Sequence, residues 1–162
     1  MTADYPERKE HRLKGFDYSA AAFYFVTIVT QDRQMLFGHI DQGKMHLNEA
    51  GKMISDTYIA LAEDAEPDRD HLFTVMPNHI HFILMNPLDG MTDLRTFVQQ
   101  FKRLTTNSYM KGVRQSEWPS FEKRLWQRNY YDHIIRYQQA YINISEYIRT
   151  NPQRWSEDCY FG

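Results

Sequence analysis

His79 and His81 stand two positions apart at the end of the run Val75-Met76-Pro77-Asn78-His79-Ile80-His81. In an extended strand such residues project from one face, while Ile80 points to the other. Two convergent neutral imidazoles form a good fragment of a divalent-metal site. The turn at Pro77-Asn78 sets the pair near a strand start, at a rim. As a bare pattern, His-x-His also fits two strand histidines bonded to backbone or solvent. A third ligand must come from elsewhere. Asn151 lies four residues after Tyr147, so on a helix the two share a face. Two imidazoles and one amide oxygen leave positions open for water or a phosphate oxygen, and such a set suits Mg²⁺ or Mn²⁺. A tyrosine hydroxyl is a poor nucleophile at neutral pH, its pKa being about 10. Beside a bound phosphate, a cation offsets the negative charge and orients the phosphate for attack by the phenol oxygen. Helical spacing alone favours a packed aromatic for Tyr147 and a C-terminal helix cap for Asn151. Eleven tyrosines compete for the role.

The elements that must hold these residues are legible in outline. Phe23 to Thr30 is aromatic and β-branched, a strand by propensity. Met35 to Ile40 and Lys44 to Leu47 flank Asp41-Gln42-Gly43 and read as a hairpin, with Gly43 supplying a positive φ. Asn48 is placed to cap a helix whose stripe is Met53, Ile54, Tyr58 and Leu61, running to about Glu63. An acidic loop, Glu63 to Asp70, follows. His71 to Met76 and His79 to Met85 read as two strands joined by the Pro77-Asn78 turn. Asp93 opens a helix reaching about Met110, with Leu94, Phe97, Phe101 and Leu104 inward. Lys111 to Glu122 reads as a polar connection, Tyr131 to Arg136 as a strand, and Gln138 to Thr150 as a last helix, ended with the help of Pro152. This order predicts an α+β fold: a ferredoxin-like antiparallel sheet with helices packed on one face, plus an inserted β-hairpin.

No repeat, low-complexity tract or linker divides the 162 residues, so one domain over 18–162 is expected, preceded by a polar arm over 1–17. An aromatic share of 15% argues against disorder. The longest apolar stretch, Ala20 to Val29, is broken by Thr27 and too short to cross a bilayer, and the N-terminus lacks the layout of a secretion signal. A single cysteine excludes a disulfide framework and a cysteine-based zinc cluster. No membrane partner and a cytoplasmic location follow as the expectation. The net charge of −2 hides an asymmetry: Arg95 to Arg154 carries 11 Lys/Arg against 4 Asp/Glu, whereas the remainder is acidic. Such a division hints at a polyanion-binding face, though solvated helix surfaces would produce it too.

Val75-Met76-Pro77-Asn78-His79-Ile80-His81, the block from Trp126 to Arg136, and Tyr147-Ile148-x-x-Asn151-Pro152 together resemble the signature blocks of REP-associated tyrosine transposases. These belong to the single-tyrosine HUH transposase superfamily. Phe25-x-Thr27 and Phe101-Lys102 resemble that family as well, so the likeness runs from about residue 20 to Trp155. It implies transesterification of single-stranded DNA, dependent on a divalent ion, Mg or Mn. His79 and His81 match the paired-histidine metal motif, and Asn151 matches the third ligand. Tyr147, 66 positions beyond His81, matches the nucleophile, which would leave a 5′-phosphotyrosine link and a free 3′-hydroxyl. The partner implied is single-stranded or hairpin DNA of the REP type, with nucleoid association when DNA is bound. Insertion-sequence relatives are dimers with shared active sites, which leaves a homodimer open here.

Several residues are weighed beside that set. Tyr130 and Tyr131 are rival nucleophiles, yet on a strand they face opposite ways, so at most one could reach the histidines. Asp132 or His133 could orient a ligating histidine through its second ring nitrogen, with plain strand polarity as the alternative. Lys102, Arg103, Arg124, Arg128, Arg136, Arg149 and Arg154 are candidates for phosphate contacts. Trp126 and Trp155 could stack on unpaired bases or serve as buried anchors. Two other readings stand beside strand transfer: a non-catalytic DNA binder that keeps the fold, and a small-molecule hydrolase with an enclosed apolar pocket at the histidines.

Overall fold

A computed structural model of the chain describes residues 22–86 and 93–161; the polar arm expected over 1–17 lies outside them. The strands are β1 (Ala22–Val29), β2 (Gly38–Asp41), β3 (Lys44–Leu47), β4 (Phe73–Met76), β5 (His79–Asn86) and β6 (Tyr131–Ile135). The helices are α1 (Glu49–Ala65), α2 (Leu94–Gln115) and α3 (Gln138–Thr150), and a 3-10 segment, Asn151–Glu157, continues from α3. Four strands form one antiparallel sheet in the order β4-β5-β1-β6. Two crossovers, β1-α1-β4 and β5-α2-β6, each skip one strand, which is the split βαβ arrangement of a ferredoxin-like sheet. The β2–β3 hairpin stands apart as its own two-stranded sheet, with Gln42 (φ 49°) and Gly43 (φ 73°) both left-handed at its turn, as a two-residue hairpin loop of the I′ kind requires.

Helix starts follow local chemistry. Asn48 Oδ1 accepts from the Gly51 N–H at 2.8 Å, and Asp93 Oδ1 accepts from the Thr96 N–H at 2.7 Å, each satisfying a donor the helix leaves open. Helix α2 runs past Met110 to Gln115, into the stretch expected as a polar connection. The reason lies in packing: Thr105, Tyr109 and Gly112 extend the buried stripe. The Tyr109 ring packs on Trp118 and Phe121, and its hydroxyl donates to the Pro119 carbonyl at 2.7 Å.

The sheet separates two cores. Tyr24, Val26 and Ile28 of β1 and Ile80, Phe82 and Leu84 of β5 face α1 and α2, burying Ile54, Tyr58, Phe97 and Phe101 among others. Phe25, Ile83 and Ile135 face the other way and pack with Ile144 and Ile148 of α3. The expectation of helices on one face thus holds for α1 and α2, whereas α3 covers the opposite face. Each fully buried large apolar side chain contributes about 1.5–3 kcal/mol, so a β1 that is apolar on both sides favours cover on both. His79 and His81 have the sheet parity of Ile83 and therefore lie on the α3 side.

Candidate active site

The tight Pro77-Asn78 turn feeds β5 so that His79 stands opposite Val29 and His81 opposite Thr27. Asn78 is fully buried, and its amide nitrogen donates to the carbonyls of Tyr160 (2.8 Å) and Arg33 (3.3 Å). Its Oδ1 is then an acceptor, and His79 Nδ1–H donates to it at 2.7 Å. That leaves His79 Nε2 with a bare lone pair. His81 Nδ1 lies 2.7 Å from Thr27 Oγ1, a hydroxyl able to donate or accept. The two Nε2 atoms lie 3.0 Å apart, so without an ion His81 Nε2–H donates to the bare His79 Nε2 while the Thr27 hydroxyl donates to His81 Nδ1. Burial lowers both imidazole pKa values, His81 to about 3; for His79 the nearby His81 adds to the effect and the Asn151 side chain opposes it. Both rings are therefore neutral at neutral pH.

Helix α3 and its continuation close the site from the other side. The Tyr147 ring lies 5.3 Å from the His81 ring at 62°, and 6.1 Å from Phe25, whose own ring stacks on His81 at 5.2 Å. Asn151, 1% exposed, follows the last residue of α3. Its Nδ2 donates to Asp158 Oδ2 at 2.8 Å, while its Oδ1 is buried without a hydrogen-bond partner. Asp158 Oδ2 is 3.8 Å from His79 Nε2, and Oδ1 accepts from the Tyr160 N–H at 2.8 Å. Burial pushes the Asp158 carboxyl up, and bonds from the Tyr160 N–H and Asn151 partly offset this. Tyr160 roofs the imidazoles, its ring 4.7 Å from His79 and 6.3 Å from His81, with burial raising its hydroxyl pKa. The Arg33 guanidinium lies over that ring at 5.5 Å and donates to the Cys159 carbonyl at 3.0 Å.

These residues fit a divalent cation. Two nitrogens at right angles about one ion, each about 2.1 Å from it, stand about 3.0 Å apart, which is the separation of the two Nε2 atoms. A buried acceptor without a partner costs about 1–3 kcal/mol, and the Asn151 carbonyl is such an acceptor beside the pair. Donor atoms of His79, His81 and Asp158 lie within 4.8 Å of one another. The set of imidazole, amide and carboxylate donors suits a divalent ion.

The expected residues distribute unevenly. His79, His81, Tyr147 and Asn151 come together. Tyr131, opposite Thr27, is on the same side, its ring 6.2 Å from Tyr160; Tyr130 packs in the α1–α2 core. Asp132 and His133, weighed as orienting residues or as plain strand polarity, are not the partners of the second ring nitrogens. Asp132 pairs with Val26 and so projects to the α1–α2 side of the sheet, away from the imidazoles. His133 is on the correct side opposite Phe25, but the second ring nitrogens of His79 and His81 are taken by Asn78 and Thr27. Asn78 was legible as a turn residue and Thr27 as part of the β1 likeness, yet neither declared this contact. Asp158 had no signal in spacing, because only the fold returns the chain to the histidines.

Among the cationic candidates, Lys102, Arg124 and Arg128 gather at a cavity between α2 and residues 121–128. Arg103, Arg149 and Arg154 are exposed elsewhere on α2, α3 and the 3-10 segment, and Arg136 lines a separate cavity with Phe23 and Tyr137. Trp126 is a buried anchor, donating from Nε1 to Thr105 Oγ1 at 2.9 Å. The Trp155 ring lies 6.0 Å from His79.

The family described as "Transposase IS200 like" matches residues 18–151. The chain belongs to the IS200-like transposase family. Among relatives of this transposase-family chain, a Haemophilus influenzae protein of unassigned function is 32% identical over 164 aligned positions, spanning 93% of this chain and 91% of that one. A second, from the same organism, carries the name "Putative REP-associated tyrosine transposase" and is 26% identical over 139 positions, spanning 84% and 73%. The fold is shared with a solved REP-associated tyrosine transposase bound to a REP hairpin, at TM-score 0.58 and 21% identity over 91% of this chain and 72% of that one. It is shared too with a "putative transposase" from Deinococcus radiodurans, at TM-score 0.50 and 18% identity over 86% and 95%. The resemblance read from the signature blocks therefore agrees with the family match. No described helix is long and apolar enough to cross a membrane.

Proposed function

We propose that this transposase-family chain is a metal-dependent DNA strand transferase acting on single-stranded DNA with hairpins of the REP type, inside the cell. The observation that carries the reading is the convergence of two neutral imidazole Nε2 atoms, 3.0 Å apart, with the partnerless Asn151 carbonyl and the Tyr147 ring at their side. His79, His81 and Asn151 would hold the ion, with the Asp158 carboxylate beside them. When bound, the divalent cation supplies charge neutralisation and orientation for a phosphate. Asn78 and Thr27 hold the imidazoles in register, and Phe25 and Tyr160 exclude water from their faces.

Tyr147 is the nucleophile in this reading. Its phenolic oxygen forms a bond to phosphorus as the bond from phosphorus to the 3′-oxygen breaks. The phenolic proton passes through solvent to the departing 3′-oxygen, which becomes a free hydroxyl. A 5′-phosphotyrosine retains the energy of the phosphodiester. A 3′-hydroxyl reverses the step, joining strands and returning the proton to Tyr147. No external energy source is required.

Family membership favours DNA over a small-molecule substrate. The non-catalytic binder remains the second reading, favoured by one observation: His79 and His81 are 0% and 2% exposed beneath Tyr160 and Asp158. Incubation with labelled single-stranded REP-type hairpins and Mn²⁺ or Mg²⁺ separates the two. Strand transfer yields a denaturation-resistant adduct that maps to Tyr147. An adduct on Tyr131 would overturn the assignment of the nucleophile, and no adduct on any hairpin, with binding intact, would favour the binder.

A further inference from the structure

The β2–β3 hairpin carries a second pair of imidazoles, which strand transfer does not use. His39 of β2 stands directly opposite His46 of β3. Side chains alternate along both strands: Gly38, Ile40, Met45 and Leu47 are half-buried, whereas His39, Asp41, Lys44 and His46 are exposed. Met45 and Leu47 pack against the α1–α2 core and anchor the ribbon by its inner face. The outer face therefore presents both histidines to solvent. Their ring centroids are 5.2 Å apart and the ring planes are inclined by 17°. No described residue hydrogen-bonds to either ring.

Packing against the core does not account for two exposed imidazoles side by side, and their pairing has a chemical consequence. Neutral imidazole is a ligand for Zn²⁺, Ni²⁺ and Cu²⁺, whereas Mg²⁺ prefers oxygen. A tetrahedral zinc ion about 2.0–2.1 Å from each nitrogen asks for nitrogens about 3.3 Å apart. Each ring nitrogen lies off its centroid, so rings at 5.2 Å reach that separation by turning edge-on. Exposed side chains make such rotations on the ps–ns scale. The facing strands then act as one chelate, because the second nitrogen is already in place once the first has bound. Linkage of this kind raises affinity over a single ligand by about 10²–10⁴-fold. Asp41 shares the face two positions from His39, and Lys44 opposite it keeps that rung neutral overall.

A cross-link has an effect at this place. A two-stranded ribbon is marginal on its own, and this one stands apart from the main sheet. Its tip rests on the 3-10 segment that follows α3: a Cβ at Gly43 would lie 3.5 Å from Gln153 Cα. An ion held between His39 and His46, two rungs from the Asp41–Lys44 pair, fixes the register of the two strands. We infer that His39 and His46 form a surface metal site, a chelate for a borderline transition ion of the Zn²⁺ class that cross-links β2 to β3. The site is separate from the His79–His81 pair and does not depend on the strand-transfer reading.

The test titrates Zn²⁺ into the full chain, reading binding by calorimetry and the imidazole nitrogens by ¹⁵N NMR. A His81→Gln background removes a ligand of the buried site. There one Zn²⁺ per chain should still bind, and the ring nitrogens of His39 and His46 should shift together and saturate at one equivalent. His39→Gln or His46→Gln in that background should weaken this step by about 100-fold, and the two together by little more, because a chelate is lost with either arm. Both positions are exposed, so zinc-free melting temperature should stay at that of the parent. At free Zn²⁺ about ten times the dissociation constant, amide exchange across 38–47 should slow about tenfold. Mg²⁺ in large excess should leave the ion in place. Losses of about twofold that simply add in the double variant would mean two unlinked imidazoles and would overturn the inference. Disappearance of the step in His81→Gln alone would overturn it too, as would displacement by Mg²⁺ or zinc binding that leaves exchange in the hairpin unchanged.

Discussion

Asn78 decides which nitrogen of His79 carries the proton. With its amide nitrogen committed to the Tyr160 and Arg33 carbonyls, the Asn78 oxygen can only accept, so the His79 proton sits on Nδ1 and Nε2 is left bare. In the proposed site the residue before the first histidine would thus support an ion through the ring and not through direct contact.

Asn78→Ala should lower Mn²⁺ affinity by about 10–100-fold, the usual effect of removing a group that orients a metal-binding histidine. Calorimetric titration measures this directly. Asn78→Asp retains an acceptor for Nδ1–H and should recover part of the affinity. An unchanged affinity in Asn78→Ala would show that the orientation of His79 does not depend on this amide.

Tyr147→Phe should abolish the covalent adduct while leaving Mn²⁺ affinity and hairpin binding within about twofold of the wild type, because the lost hydroxyl is assigned no part in holding ion or stem. Gel analysis after denaturation reads the first effect, and calorimetry and fluorescence anisotropy read the others. Loss of metal binding in this variant would move the phenol into the ligand set.

Stability of the metal-free protein should fall as the solution is acidified. The His81 pKa is pushed down to about 3 and that of His79 is also lowered, whereas both titrate near 6.5 in the unfolded chain. Within that window the unfolded state binds protons that the folded state refuses. Stability from the neutral rings is thus complete above about pH 6.5 and declines below it, by up to about 1.4 kcal/mol per pH unit for each histidine. Glu66 and Asp158, whose carboxyl pKa values burial raises, act with the opposite sign. The decisive measurement is therefore a comparison: urea unfolding of His81→Gln between about pH 7 and pH 5 should show a shallower decline than the wild type.

Gly112→Ala sets two effects against each other. Alanine is the better helix former by about 1 kcal/mol. A Cβ at this position, however, would lie 2.1 Å from the Trp118 ring, which is packed on Tyr109 and hydrogen-bonded to Glu49. Forced repacking costs about 1–3 kcal/mol, so the net expectation is a lowered melting temperature with a change in tryptophan fluorescence. A gain in stability would mean that Trp118 moves aside freely.

Much of the molecule is determined locally and can be read along the chain. The caps at Asn48 and Asp93, the left-handed Gly43 turn, the stripes of α1 and α2, and the shared direction of His79 and His81 all depend on neighbours within a turn of helix or two strand positions. The signature blocks added the expectation that Tyr147 and Asn151 belong with the histidines. Tertiary structure alone decided what touches what across long separations. It placed α3 on the face opposite α1 and α2, put Asp132 on the wrong side of the sheet, and gave the imidazole partners as Asn78 and Thr27. It also brought Asp158 to His79 and gathered Lys102, Lys123, Arg124 and Arg128 at one cavity. The reason is physical. Periodicity and capping energies are set by residues a few positions apart, whereas a buried polar group takes its partner from whichever distant segment the packed core delivers to it.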